Sequence, residues 1–358
     1  MALLRVRGEA ARATNIELFV DLVYVFAVTQ LSHHLLGRPT WSGAAQTALL
    51  LMMVWHVWIY TVWMTNWLDP ARLPVRLCLV ALMLASLLMS SALPQAFGTG
   101  GVLIGWSYAV MQVGRSAFAV LALQGADRLQ RNFERALCWC VASGVLAVAG
   151  GFAHDGERFA LWAAAVAVDL VGGAVGFWTP GLGRSRTEDW TIEGNHFAER
   201  CQAFVLIALG ESVVVIGATF SDIEHVDAVS VYALVLAFVG AVAVWWVLLD
   251  RRAEDDAAGV AGWDAPGRLG RSAYHDIHPF MVGGIIVTAA ADERVLAHPT
   301  GPVDAATAWM LLGGTALFVA GHAVFKATVW GIVPWTRIAA VGLLAALGLV
   351  APYVSGLV

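Results

Sequence analysis

The sequence predicts an all-α polytopic membrane protein with about eleven transmembrane helices. Of its 358 residues, 59% are hydrophobic and 13% are charged, and eleven separate apolar stretches of roughly 19 to 24 residues cover most of the chain. A helix rises about 1.5 Å per residue, so about 20 apolar residues cross a hydrocarbon layer ~30 Å thick. A soluble helical bundle would need a polar stripe along each helix, whereas these stretches are apolar nearly all round.

The eleven predicted spans follow one another through short loops, except at two places. They are residues 17–36, 42–64, 75–93, 102–123, 133–152, 159–178, 197–220, 228–249, 273–291, 305–325 and 335–355. Residues 179–195 predict a polar cytoplasmic linker, and 251–272 a flexible cytoplasmic loop rich in glycine and acidic residues. We therefore expect a single transmembrane domain over 1–358, with a first half of six helices (1–178) and a second half of five (196–358).

The two halves open on similar segments. Asn15 to Phe19 opens the first span and His196 to Arg200 opens the seventh, and each segment carries an acidic residue. A parallel repeat of six plus five spans is one interpretation of this similarity.

The distribution of cationic residues predicts the orientation. With the N-terminus in the cytoplasm, seventeen of the 21 Lys and Arg residues lie on the cytoplasmic side, three lie opposite and Arg115 lies inside a span. This bias follows the positive-inside rule. An odd number of spans then puts the C-terminus outside, and the bacterial inner membrane is the expected location.

Composition also limits the partners. A formal net charge of −5 does not suggest nucleic acid, so the bilayer is the main expected partner, and a homo-oligomer is compatible with the sequence. The four cysteines map to the cytoplasmic ends of spans, where reducing conditions argue against disulfides. Phosphate-binding loops, zinc helices and nucleophile elbows are absent from the sequence, and we expect no cofactor.

Charged groups inside hydrocarbon cost at least ~2.5–3.5 kcal/mol at the centre of a span, so each needs a compensating reason. Glu17 and Asp21 open the first span four residues apart and therefore share a helical face. One interpretation is a proton or cation site. The other is a pair of acids that the helix dipole stabilises, with Asp21 in a buried pairing.

The seventh span carries the second group of candidate residues: His196, Glu199, Arg200 and Glu211. Arg200 and Glu211 are eleven residues apart, close to three turns, which predicts Glu211 ~16 Å deeper and near the middle of the bilayer. Gly210 beside Glu211 would let a neighbouring helix approach closely. We expect Arg200 to neutralise Glu17, Asp21 or Glu199.

Further polar residues in or at the start of predicted spans complete the candidate set. His56, Asp169, His275 and His278 are included because histidines and buried carboxylates together form a path of titratable groups. Taken singly, each histidine is more typical of packing. His275 and His278 are three apart, but a third ligand at fixed spacing is missing, so we predict no metal site.

The motifs in the first and seventh spans suggest a family. The run from Glu17 to Ala27, Glu-Leu-Phe-Val-Asp-Leu-Val-Tyr-Val-Phe-Ala, resembles the N-terminal signature of the bacterial low temperature requirement A family. His196-Phe-Ala-Glu-Arg200 followed by Leu209-Gly-Glu-Ser212 is similar to a second motif of that family. The sequence departs from the pattern at Val20, Tyr24 and Gln202, which leaves the charged positions intact.

The resemblance implies a polytopic inner-membrane protein linked to growth in the cold, and it implies no reaction or substrate. It singles out the same charged positions: Glu17, Asp21, His196, Glu199, Arg200 and Glu211.

Three functional hypotheses remain open. The first is a channel or secondary transporter that moves protons, a small cation or a small solute along buried carboxylates. The second is a membrane-embedded enzyme acting on an apolar, lipid-like substrate. The third is a structural or stress-adaptation protein whose polar residues hold helices together. We favour transport, and an enzyme is the less favoured class.

Overall fold

A computed structural model describes residues 3–5, 13–186, 189–190, 192–248, 270–299 and 304–350. Within these residues the regular elements are helices, joined by turns and two isolated β-bridges. In chain order they are α1 (Asn15–Leu36), α2 (Trp41–Trp67), α3 (Leu73–Ala92), α4 (Gly101–Ala109), α5 (Arg115–Ala122), α6 (Asp127–Phe152), α7 (Asp155–Ala174), α8 (Gly194–Ser221), α9 (Ala228–Leu248), α10 (His278–Ala297), α11 (Ala305–Trp330) and α12 (Trp335–Val350).

The protein is an all-α membrane protein. Seven of the described helices are long and apolar enough to cross a membrane: α1, α2, α3 with the 3₁₀ turn after it, α6, α8, α9 and α11. The predicted apolar stretches are helical over most of their described residues, and the exceptions are 123, 175–178 and 276–277, which form turns or irregular chain. The count of eleven spans, the orientation and the repeat remain predictions.

Two predicted spans are not continuous α-helices. The fourth consists of α4, a π-helical segment at Val110–Gly114 and α5. The ninth begins as a π-helical segment at Gly270–His275 before α10. A π segment shifts the hydrogen-bonding register and so re-aims side chains, and such segments are frequent at functional sites. A hydrophobic pattern does not reveal this register.

Some predictions fall outside the described residues. Most of the predicted loop at 251–272 and the end of the last predicted span after residue 350 belong to this group, as does the end of the eighth span at residue 249. The predicted linker at 179–195 is largely described and is not simply an open loop. Thr179 and Gly183 exchange backbone hydrogen bonds of 2.9 Å, and Trp190 packs against Trp63 and Trp67.

The chain forms two compact units, and α1, α2 and α8 contribute residues to both. The described part of the first unit comprises 3–5, 13–30, 46–186, 189–190, 192–203 and 270–271; that of the second comprises 31–45, 204–248, 272–299 and 304–350. The single transmembrane domain with halves at 1–178 and 196–358 stays a prediction.

Small residues allow close helix contacts inside each unit. In the first unit, a Cβ added at Gly105 of α4 would lie 2.5 Å from the carbonyl oxygen of Ala147 in α6. In the second unit, a Cβ at Gly284 of α10 would lie 2.7 Å from the carbonyl oxygen of Gly314 in α11. Lipid tails are as apolar as the helices, so membrane helices associate through such close packing and through polar contacts.

One buried arginine ties several helix ends of the first unit together. The Arg158 guanidinium, at the start of α7, donates 2.7–3.3 Å hydrogen bonds to the carbonyls of Ala96, Gly98, Gly150, Gly151 and Ala153. These carbonyls lie beyond α3 and at the end of α6, where helices leave acceptors without intrahelical partners. Arg158 therefore has a structural role.

Candidate functional site

Two carboxylates lie fully buried at the start of α1. The side chains of Glu17 and Asp21 are inaccessible to solvent and face the same side one turn apart. Glu17 Oε2 accepts hydrogen bonds from the Thr14 backbone N–H at 2.9 Å and the Thr14 hydroxyl at 2.8 Å. The sequence Thr14-Asn-Ile-Glu17 thus has the spacing of a capping box, with Glu17 reaching back to the residue before the helix.

A second pair, one turn apart at the start of α8, faces the first. Arg200 binds Asp21 through two hydrogen bonds, Nε to Oδ2 at 2.9 Å and Nη2 to Oδ1 at 2.5 Å. Arg200 Nη1 lies 3.2 Å from Glu17 Oε1, and His196 Nε2 lies 2.9 Å from the same oxygen. The expected neutralising role of Arg200 is confirmed, with Asp21 as its two-pronged partner and Glu17 as a second.

A second guanidinium enters from the N-terminal segment. The Arg5 backbone N–H donates to the Trp67 carbonyl at 2.8 Å, which holds this segment against the end of α2. Its Nη2 then lies 3.1 Å from each oxygen of Glu17. The Arg5 side chain is 10% exposed, so it covers the cluster on the side nearest to solvent.

Helix α2 completes the cluster with uncharged groups. The Trp58 indole N–H donates to Asp21 Oδ1 at 2.7 Å, and Arg200 Nη1 donates to the Thr65 hydroxyl at 3.4 Å. A buried indole N–H normally needs an acceptor, and Trp58 finds it in the carboxylate. The ion-pair cluster is hereafter Arg5, Glu17, Asp21, His196 and Arg200.

Asn66 of α2 fixes the tautomer of His196. Asn66 Oδ1 accepts from the Glu193 N–H at 2.8 Å, and Asn66 Nδ2 donates to the Glu193 carbonyl at 3.1 Å, so the amide orientation is determined. The same Nδ2 lies 3.2 Å from His196 Nδ1, which must therefore accept. The ring proton is then on Nε2 and is donated to Glu17.

The charges of the cluster balance. Two carboxylates meet two guanidiniums, and the imidazole contributes a hydrogen bond. Taking such charges out of water costs several kcal/mol per ion, which ion pairing and further hydrogen bonds must offset. Glu17 also lies in the first turn of α1, where the helix dipole favours a negative charge.

The remaining charged residue predicted here lies outside the cluster. Glu199 is exposed, and its Oε2 accepts from the Ala13 backbone N–H at 3.0 Å. It follows Phe197 and Ala198 on α8 and lies one position before Arg200, so it points away from the buried face. Its contact ties the chain before α1 to α8.

Asp169 and His56 lie elsewhere in the first unit, both buried. Asp169 of α7 accepts hydrogen bonds from Tyr108 and Gln112 and forms a second polar network with Arg115. His56 of α2 lies 2.7 Å from the Met52 carbonyl through Nδ1. The sequence predicted both residues as candidates but gave no indication that α4 and the π segment supply their neighbours.

Glu211, His275 and His278 belong to the second unit. Glu211 is only partly buried, and a Cβ added at Gly210 would lie within 4 Å of none of the described residues, so the described part of the chain does not make the close helix approach expected there. Only 33% of the most apolar part of α8 is buried, which agrees with the partial exposure of Glu211. His275 and His278 are buried, and the His278 ring packs 4.9 Å from Phe325 and 5.0 Å from Tyr274.

The second unit also contains a largely apolar cavity of about 600 Å³ between α8, α9, α10, α11 and α12. Asp292 and three threonines are the polar residues among its lining. Among the described residues, no three His, Cys, Asp or Glu side chains are grouped closely enough to hold a metal ion.

Sequence reasoning missed one member of the cluster, Arg5, and three residues that contact it, Trp58, Thr65 and Asn66. Trp58 carried a usable signal, because an indole deep in a span needs an acceptor. Arg5, Thr65 and Asn66 carried none, since their role depends on where the chain before α1 and the end of α2 meet α8.

Comparisons with known proteins agree with the motifs. The family model described as bacterial low temperature requirement A protein (LtrA) matches residues 12–358. The chain belongs to the LtrA family. This LtrA protein is also 35% identical over 352 residues to a protein of Rhizobium meliloti (strain 1021) named "Uncharacterized protein RA0937", covering 97% of this chain and 85% of that one. No solved structure matches the chain significantly.

Membership confirms the resemblance drawn from the two motifs. Four of the six charged positions in those LtrA motifs, Glu17, Asp21, His196 and Arg200, meet in the ion-pair cluster. The two motifs lie about 180 residues apart in the LtrA sequence and are in direct contact in its fold.

Proposed function

We propose that this LtrA protein is a channel or secondary transporter of the bacterial inner membrane that moves protons, a small cation or a small solute. The ion-pair cluster would control this movement. The observation that supports the proposal most is the complete burial of Glu17 and Asp21 in a helix long and apolar enough to span a membrane. Ionisable residues inside spans mark ion and proton pathways more often than they serve packing.

The contacts of Glu17 suggest how the cluster would work. Its Oε1 is shared by Arg5, His196 and Arg200, so a proton or cation arriving at Glu17 competes with three donors for one oxygen. Neutralising Glu17 weakens its hold on Arg5, which is the most exposed of the three. Arg5 would then leave, and the cluster would open towards the solvent on that side.

The cluster also offers two alternative arrangements of its ion pairs. Arg200 already contacts both carboxylates, and it can bind Asp21 alone once Glu17 is neutral. A switch of this kind needs two discrete pairings of similar free energy, which packed polar networks provide. Asp21 keeps its contacts with Arg200 and Trp58 in both arrangements.

A structural role is the second candidate, and one observation favours it. Each charged member of the cluster has a partner, and α2 adds hydrogen bonds to both Asp21 and Arg200. A satisfied buried network rigidifies a bundle and specifies its packing. Such a lock would hold α1, α2 and α8 together without any transported species.

Flux measurements on liposomes separate the two candidates. Purified protein is reconstituted around a pH-sensitive dye, and pH and K⁺ gradients are imposed in turn. We expect wild-type protein to collapse a gradient and Glu17→Gln, which keeps the size and one accepting oxygen but removes the charge, to lose at least about tenfold of that rate. Glu199→Gln is the matched control, since the exposed Glu199 neighbours the same segment.

The outcomes are distinct. Wild-type flux by Glu17→Gln, in a folded and inserted state, would contradict the proposal. No flux by wild type under either gradient, with a lowered melting temperature of Glu17→Gln, would favour the structural role. Glu211→Gln belongs in the same series because Glu211 stays a predicted site residue, and it should lose flux without losing its fold.

A further inference from the structure

A second buried carboxylate site lies in the first unit, apart from the ion-pair cluster. Asp169 of α7 has a relative exposure of 1%. Its Oδ2 accepts a short hydrogen bond from the Tyr108 hydroxyl and one of 2.8 Å from Gln112 Nε2. Tyr60 donates to the Asp169 backbone carbonyl at 3.3 Å. Two donors therefore converge on one oxygen of this carboxyl group.

Asp169 differs from Glu17 and Asp21 in the donors that bind its carboxyl group. Its side-chain donors Tyr108 and Gln112 are uncharged, whereas Glu17 and Asp21 each contact a guanidinium. Arg115 is in the same network but donates to Gln112 Oε1 at 2.5 Å and to the Val57 carbonyl at 3.1 Å. The Gln112 amide thus stands between the cation and Asp169.

The other oxygen, Oδ1, is buried and makes no hydrogen bond to any of the described residues. An ionised carboxylate that is buried with an oxygen left unbonded is costly, and in proteins such a group usually neutralises. Because Oδ2 already accepts from two donors, Oδ1 is the oxygen on which a proton would sit. Tyr108, Gln112, His56 and Ser143 interact with the carboxyl group, and Tyr60, Arg115 and Cys140 belong to the surrounding network.

A proton fits this site better than a metal ion. Mg²⁺, Ca²⁺ and similar cations are coordinated by the lone pairs of several oxygen atoms. Tyr108 and Gln112 instead direct hydrogen atoms towards Asp169. Gln112 also lies in the π-helical segment at Val110–Gly114, and the spacing of four and three residues places Tyr108, Gln112 and Arg115 on one side of this stretch.

We propose that Asp169 is a proton-binding site of this protein, protonated on Oδ1 in the resting state, and that the proton it binds is the transported species. The second part rests on the proposed function, and it narrows the transported species to protons. His56 is the neighbouring titratable base. Its Nδ1 is directed at the Met52 carbonyl, so Nε2 is the nitrogen that would accept a proton.

Infrared spectroscopy tests proton binding without any flux. A protonated carboxyl has a C=O stretching band well separated from the carboxylate bands. At neutral pH we expect this band in wild type, its loss in Asp169→Asn, and its retention in Asp21→Asn, since Asp21 is paired directly with Arg200. An unchanged band in Asp169→Asn, or no band in wild type, would overturn the proposal.

Asn at 169 keeps an acceptor for Tyr108 and Gln112 and places an N–H where the O–H would be, so the variant should fold. Tyr108→Phe gives a second measurement that leaves Asp169 in place. Removing the Tyr108 hydroxyl takes one hydrogen bond from the C=O group and should shift the band to higher frequency. An unshifted band would overturn the assignment.

The flux arm separates this inference from the proposed function. We expect Asp169→Asn to lose at least about tenfold of the pH-driven flux of wild type. Full flux together with loss of the band would overturn the claim that this proton is transported. The band of Asp169 in a wild-type protein that transports nothing would overturn the proposed function and leave the proton-binding site standing.

Discussion

Removing Arg200 should destabilise the protein more than removing any exposed arginine. Arg200→Ala deletes two hydrogen bonds to Asp21, the 3.2 Å contact with Glu17 and the 3.4 Å bond to Thr65. Glu17 keeps Arg5 and His196, but among the described residues Asp21 keeps only the hydrogen bond from the Trp58 indole. The main cost is therefore the buried charge stranded on Asp21.

The magnitude follows from that stranded charge. Breaking a buried ion pair by removing one partner costs about 3–5 kcal/mol. At about 2.1 cal/mol/K per residue, the 358 residues give an unfolding entropy of about 0.75 kcal/mol/K, so the melting temperature should fall by about 4–7 °C. Thermal unfolding of the purified protein in detergent, followed by intrinsic tryptophan fluorescence, measures this shift.

Two companions make the measurement specific. Arg200→Lys keeps the charge but cannot reproduce the two-pronged contact, so its loss should lie between wild type and Arg200→Ala. Arg128→Ala is the control, because the Arg128 side chain is 81% exposed and should change stability by less than about 0.5 kcal/mol. Equal melting temperatures for Arg200→Ala and Arg128→Ala would refute the reasoning.

Two further predictions concern helix ends. Arg158→Met keeps the aliphatic stem but removes the donors for five carbonyls, so the free energy of unfolding should fall by about 3 kcal/mol. The melting temperature measures this loss, and an unchanged value would contradict the structural role of Arg158. Hydrogen bonds from Thr307 and the charge of Arg294 hold the pKa of Asp304, which caps α11, below its ordinary value of 3.8. Its contribution to stability is therefore complete above about pH 4 and is lost as the pH falls further. Asp304→Asn keeps the helix cap but not the charge. Its melting temperature should therefore fall less steeply than that of wild type between about pH 5 and about pH 3. Parallel curves of melting temperature against pH for the two proteins would contradict this account.

Local pattern was enough for the class and for most helix positions. Apolar stretches such as 17–36 and 305–325 become α1 and α11 within a few residues, because length and hydrophobicity are properties of consecutive residues. The two π-helical segments were not predictable, because a one-residue register shift leaves an all-apolar pattern unchanged. The partial exposure of Glu211 was also unforeseen, since burial in a helix depends on which neighbours cover it.

The candidate residues show the same division. The four-residue spacing of Glu17 and Asp21, and of His196 and Arg200, is enough to place each pair on one helical face. Arg200 binds Asp21 through two nitrogens, Asn66 orients His196, and Tyr108 and Gln112 donate to Asp169. These contacts join residues 57 to 179 positions apart in the chain. They arise from packing between helices.

Consecutive residues alone determine that this chain belongs in lipid, that it is helical, and which charged side chains lie within apolar helices. Tertiary structure decides which of those charges meet a guanidinium, as Glu17 and Asp21 do, and which meet uncharged donors, as Asp169 does. The physical reason is that hydrophobic length acts along one helix, whereas the free energy of a buried charge depends on atoms within a few ångströms, and helices distant in sequence supply those atoms.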